Sequence, residues 1–194
     1  MDRKTLLLIT VFTEGGVFLL ALLLMRVSRL EIWPRINISW GATAYALLFC
    51  LPMIAMLFFF DRSTLEPVIR FRREIDDKIV PIFANSRLPD LAFIALLAGV
   101  SEELFFRGWM QGLLTDIWGI WAGNLIASAI FGLAHYLSPT YAIYAGLTGL
   151  YLGVIYQVSG NLFLVMAIHA LYDFITLIYL VTKGKSRGTG IKVV

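Results

Sequence analysis

Gly99-Val100-Ser101-Glu102-Glu103-Leu104-Phe105-Phe106-Arg107-Gly108 sets two adjacent carboxylates and an arginine inside an otherwise apolar run from about Leu88 to Leu114. That run is long enough to cross a hydrocarbon core of roughly 30 Å, with length to spare for a tilt or a bend. On a helix Glu103 and Arg107, four residues apart, share a face and can pair. Glu102 is turned about 100° away from Glu103 and has no local cation. A charged side chain at the bilayer centre costs roughly 2.5–3.5 kcal/mol, so such groups turn inward, pair, and mark functional sites. The stretch therefore reads as one helix of a membrane bundle with its charges facing the interior.

The rest of the chain supplies the other helices. It is 194 residues long, 59% hydrophobic and only 15% charged. Its mean hydropathy is +0.81. Continuous apolar runs of spanning length occur at about Thr5–Met25, Trp40–Phe60, Leu88–Leu114, Trp118–Leu137, Thr140–Val158 and Asn161–Val181. None shows the strict alternation of a barrel strand, so the fold class is an all-α polytopic bundle of about six spans. The first run is interrupted by Glu14, Gly15 and Gly16 and is followed by no small-x-small cleavage site, so it reads as a retained span. Between the second and third spans lies an amphipathic stretch, about Ser63 to Val80. Val68, Phe71, Ile75 and Ile79 recur at helical spacing against a charged face, which suits a helix in the headgroup region or a solvated connector. Ser63 and Glu66 have the spacing of a capping box. Four segments follow: an N-terminal two-span region at 1–62, the amphipathic connector at 63–87, a four-helix membrane core at 88–182 and a basic disordered tail at 183–194.

The net charge of +3 does not point to nucleic acid, because the basic residues sit in loops and tails without interleaved aromatics. Cys50 is alone, which excludes an internal disulfide and cysteine-rich metal sites. With the N-terminus inside, twelve of the sixteen Lys and Arg residues fall in the inside segments. The positive-inside rule then puts both termini in the cytoplasm. The small size suggests a prokaryotic inner membrane. Gly108/Gly112, Gly119/Gly123 and Gly149/Gly153 have the spacing that lets membrane helices approach closely, and Glu14 reads as a helix-packing hydrogen bonder.

Both histidines of the chain also lie in apolar spans. Phe131 and His135 are four residues apart in the fourth, and His169 and Asp173 four apart in the sixth. A carboxylate and two imidazoles that converge can activate water in two ways. Glu102 can act as the base with histidines donating to the oxyanion. Alternatively Glu102, His135, His169 and Asp173 can hold a divalent metal such as zinc, which acidifies its bound water.

The patterns Glu-Glu-x-x-x-Arg, Phe-x-x-x-His and His-x-x-x-Asp, in this order on separate spans from about Leu88 to Leu180, resemble the CPBP family. These are the CAAX proteases and bacteriocin-processing enzymes, which include the Ras-converting CAAX endopeptidase. The resemblance implies an intramembrane endopeptidase acting on a membrane-associated peptide or protein. It assigns water activation to Glu102, support to Glu103 and Arg107, water binding to His135, and the oxyanion to His169 and Asp173. An ionised Asp173 would repel an oxyanion, so it must be protonated, bind metal or act through His169. Two other readings compete: a non-catalytic scaffold or immunity-type protein of the same fold, and a proton-coupled transporter. The second of these predicts polar residues reaching both membrane faces.

Overall fold

The computed structural model describes residues 1–186, and among them every regular element is helical. Helix α1 (Arg3–Ser28) is capped by Asp2, whose carboxylate accepts from the Thr5 N–H at 3.0 Å. Helix α2 (Trp40–Arg62) follows. The connector forms α3 (Glu66–Glu74), a π-helical turn at Ile75–Ile79 and α4 (Val80–Phe83). Helix α5 (Leu88–Glu103) continues through a π-helical segment, Leu104–Gln111, into α6 (Gly112–Trp118). Helices α7 (Ile120–Ala134), α8 (Pro139–Ser159) and α9 (Leu162–Ser186) complete the described residues.

Among the described residues four helices are long and apolar enough to cross a membrane: α1, α2, α8 and Leu162–Gly184 of α9. Together with the shorter apolar helices they make an all-α integral membrane bundle. The other two expected spans are built differently. The third is broken by the π-helical segment directly after Glu103, a wide turn of the kind found at functional sites. The fourth is α7, whose 15 residues measure about 22 Å. That is short of a hydrocarbon core of roughly 30 Å, so at least one end of α7 stops inside the membrane thickness.

Contacts at both ends make α1 and the α5–π run parallel neighbours. At one end Arg3 donates twice to Asp90, at 2.5 and 2.6 Å. At the other, the Trp109 indole donates to Ser28 Oγ at 3.1 Å. The connector departs from the expected capping box. Ser63 closes α2 and its Oγ accepts from the Leu65 N–H at 3.3 Å, so α3 begins only after Leu65. The connector's apolar face is Val68, Phe71 and Ile75, as expected, but it covers protein: Phe71 stacks on Tyr141 with ring centroids 5.7 Å apart. At the C-terminus α9 runs on through Ser186, so residues 183–186 of the expected disordered tail are helical, and residues 187–194 lie outside the described residues.

Helices α5 and α9 approach closely. A Cβ added at Gly99 would fall 2.7 Å from Ala170 N and 2.8 Å from Ala170 Cβ, so no larger residue fits without separating the helices. Overpacking of this kind costs about 1–3 kcal/mol. Gly99→Ala is therefore expected to lower the apparent Tm in detergent. Gly15→Ala, where nothing lies within 4 Å of the added Cβ, is expected not to. Equal melting of the two variants would remove this seam as a determinant of the fold.

Candidate active site

The Gly99–Ala170 approach brings the next turn of α5 against His169. Glu103 is fully buried and Arg107 is 1% exposed. Arg107 Nη1 donates to Glu103 Oε1 at 2.6 Å, the i, i+4 pair expected from the sequence. The same oxygen accepts from His169 Nδ1 at 2.8 Å, and Arg107 Nη2 donates to the Gly149 carbonyl at 2.8 Å. One ion pair thus ties α5 and its π-helical extension to α9 and α8. The fit at Gly149 is tight: a Cβ there would lie 3.2 Å from Arg107 Nη2 and 3.2 Å from the Phe131 ring. Phe131 fills the remaining side: the Arg107 guanidinium sits 4.7 Å from its ring centre and the His135 ring 4.3 Å.

Glu102 points elsewhere. Its Oε2 is buried, has no hydrogen-bond partner, and faces His135 Nε2 at 3.4 Å and His169 Nε2 at 4.0 Å. The tautomers follow from the other ring nitrogens. His135 Nδ1 lies 2.9 Å from the Phe131 carbonyl, which can only accept, so Nδ1 carries the proton. His169 Nδ1 is committed in the same way to the Glu103 carboxylate. In a neutral imidazole the Nε2 atom is then an acceptor. Two acceptors facing each other at 3.4 Å call for a shared donor, and a water molecule bridging them from the side supplies two O–H groups. Asp173 Oδ2 lies 3.5 Å from His169 Nε2.

All seven side chains singled out in the sequence therefore gather at one place: Glu102, Glu103, Arg107, Phe131, His135, His169 and Asp173. Four of them, Phe131, His135, His169 and Asp173, line a cavity of about 110 Å³ between α2, α7, α8 and α9. The cavity shares Tyr141, Tyr144, Tyr172 and Asp173 with a larger apolar chamber of about 330 Å³ beneath the connector. The sequence reading missed Tyr144 and Tyr172, whose hydroxyls bond to each other beside Asp173. Two hydroxyls buried in apolar helices, one of them adjacent to Asp173, were the available signal. It also assigned Glu14 to packing; Glu14 Oε2 is 2.5 Å from Ser101 Oγ, the residue before Glu102.

The fit to zinc is poor. A tetrahedral ion with bonds of about 2.0–2.1 Å holds its ligand atoms about 3.4 Å apart. His135 meets that spacing against Glu102, but His169 stands at 4.0 Å. Among the described residues no group of three or more His, Cys, Asp and Glu side chains is gathered so as to hold a metal ion.

The chain matches an uncharacterized protein, YpbD, of Bacillus subtilis (strain 168) at 35% identity over 94 residues, 47% of this chain and 46% of that protein. The match thus spans about half of either protein. No solved structure matches the chain. The family model described as type II CAAX prenyl endopeptidase Rce1-like matches residues 84–175, a segment that contains every one of the seven gathered side chains. Over that segment, just under half of its length, the chain is similar to the CAAX family of membrane proteases.

Proposed function

We propose that the chain is an intramembrane endopeptidase in which Glu102 and His135 activate a water molecule. The observation that carries this reading is the buried, unpartnered Glu102 Oε2 facing the Nε2 atoms of both histidines. A water placed there donates one hydrogen to Glu102 and the other to His135 Nε2. Its oxygen is left free to attack a peptide carbonyl in the adjoining cavity. Glu102 takes the proton as the new C–O bond forms. It returns that proton to the departing amine as the C–N bond breaks, which yields a carboxylic acid and an amine.

The developing oxyanion needs a donor. His169 Nδ1–H is held by Glu103, so Nε2 donates only in the imidazolium form, flanked by the Glu103 and Asp173 carboxylates. Asp173 then acts through His169 rather than by facing the oxyanion. The substrate is a membrane-associated peptide or protein that enters the 330 Å³ apolar chamber beside Asp173. The host membrane is a prokaryotic plasma membrane, which the Bacillus relative supports.

The test is cleavage of fluorogenic peptides, with and without a C-terminal lipid, by the purified full chain in detergent. We expect cleavage of at least one class of peptide at a rate unchanged by a metal chelator. Loss on chelation with recovery on added zinc would replace the Glu102–His135 scheme by a metal-centred one. No cleavage across the panel would favour the non-catalytic reading.

A further inference from the structure

Helix α1 lies outside the family-matched segment 84–175, yet it sends a carboxylate to the edge of the site. Glu14, near the middle of α1, is half-buried, and its Oε2 is 2.5 Å from Ser101 Oγ. Ser101 is 2% exposed and directly precedes Glu102. A helical serine ordinarily returns its hydroxyl to the carbonyl four residues back, and Ser101 Oγ is indeed 2.8 Å from Leu97 O. The hydroxyl has a single proton to share. Either it donates to an ionised Glu14, or a protonated Glu14 donates to it while it donates to Leu97. Both arrangements clamp α5 to α1 one residue before the reacting carboxylate.

An ionisable group is a costly means of joining two helices in an apolar span. Helix α1 buries apolar side chains as well: Ala21 and Met25 are buried, and Met25 packs near Gly108. What distinguishes the Glu14 level is its neighbours, since Glu102, His135 and His169 all lie within its electrostatic reach.

We propose that Glu14 is a positioning residue for the reaction. Acting through Ser101, it fixes the rotation of α5 at which Glu102 Oε2 faces the two Nε2 atoms, which makes α1 part of the working enzyme. This rests on the catalytic reading of Glu102. The Glu14–Ser101 bond differs from packing in what it controls: the side chain of Glu102, not the spacing of the helices.

The experiment uses the full chain in detergent, any tag removed, as wild type, Glu14→Ala, Glu14→Gln, Ser101→Ala and the Glu14→Ala/Ser101→Ala pair. Two readouts are taken: kcat and KM on a cleaved peptide, and the imidazole NMR signals of the only two histidines. Glu14→Ala is expected to lower kcat about 10-fold with KM nearly unchanged, the signature of lost orientation. It also shifts the His135 signal. Glu14→Gln keeps an acceptor oxygen for Ser101 and restores both readouts. The double variant is no worse than either single one. Wild-type kcat and unmoved imidazole signals in Glu14→Ala would overturn the assignment. So would a Glu14→Gln variant as impaired as Glu14→Ala. If the wild type cleaves nothing, the protease reading fails separately and the imidazole signals alone decide: shifted in Glu14→Ala and restored in Glu14→Gln supports the clamp, unmoved overturns it.

Discussion

Glu102→Gln is expected to lower the turnover of any cleaved peptide by about 10³-fold, within the range that a general base contributes. The amide matches the carboxylate in shape but cannot take a proton from water. It also presents an NH₂ group that can bond directly to His135 Nε2, filling the place proposed for water. KM should change little, because Glu102 is assigned to the reacting water and not to the substrate. Stability should hold as well. Glu102 Oε2 has no hydrogen-bond partner among the described residues, so the substitution breaks no bond there, and it removes a buried charge. The measurement pairs kcat with the apparent Tm of the same preparation. A variant that keeps a tenth or more of wild-type turnover would remove Glu102 from the role of base. His135→Ala should be the milder lesion, since Glu102 would remain to accept the proton.

Much of this site was legible because membranes make polar residues conspicuous. Glu102, Glu103, Arg107, His135, His169 and Asp173 stand out against apolar runs, and i, i+4 spacing is enough to pair Glu103 with Arg107. Spacing also placed Phe131 beside His135. It did not determine which partner each group takes across helices. That His169 Nδ1 shares the Glu103 oxygen with Arg107 depends on the Gly99–Ala170 approach, and nothing local to either residue encodes it. The role of Gly149 was half visible. Its small size marked a close approach, but the guest is the Arg107 guanidinium and not only another helix backbone. The connector was read correctly in its apolar face, but its packing on Tyr141 was not visible, because amphipathicity alone does not say which surface a face covers. The π-helical segment after Glu103 left no mark in the residue pattern.

The ion pair behind the site should carry more stability than any catalytic residue, and Arg107→Met tests that. Glu103 is fully buried, and among the described residues Arg107 supplies its only hydrogen-bonded cation other than what His169 can carry. Replacing one member of such a pair strands a charge in a low-dielectric interior, at a cost of about 3–5 kcal/mol. The Gly149 carbonyl and the face of Phe131 lose the guanidinium at the same time. An apparent Tm lower by on the order of 10 °C, or failure to recover folded protein, is the expected result. Because failure to fold would by itself say little, the informative comparison is the double variant Glu103→Gln/Arg107→Met. It removes the stranded charge along with its partner, and replacing both members of a buried pair is often far less harmful than replacing one. The double variant should therefore melt higher than Arg107→Met alone. Its cleavage should recover less than its stability, since His169 would keep an acceptor at Nδ1 but lose the carboxylate that favours the imidazolium. Arg107→Met with wild-type stability would mean that Glu103 does not depend on Arg107 for its charge, and the tie between α5, α8 and α9 would have to be sought elsewhere. A double variant no more stable than Arg107→Met would instead put the loss in packing around Phe131 and Gly149.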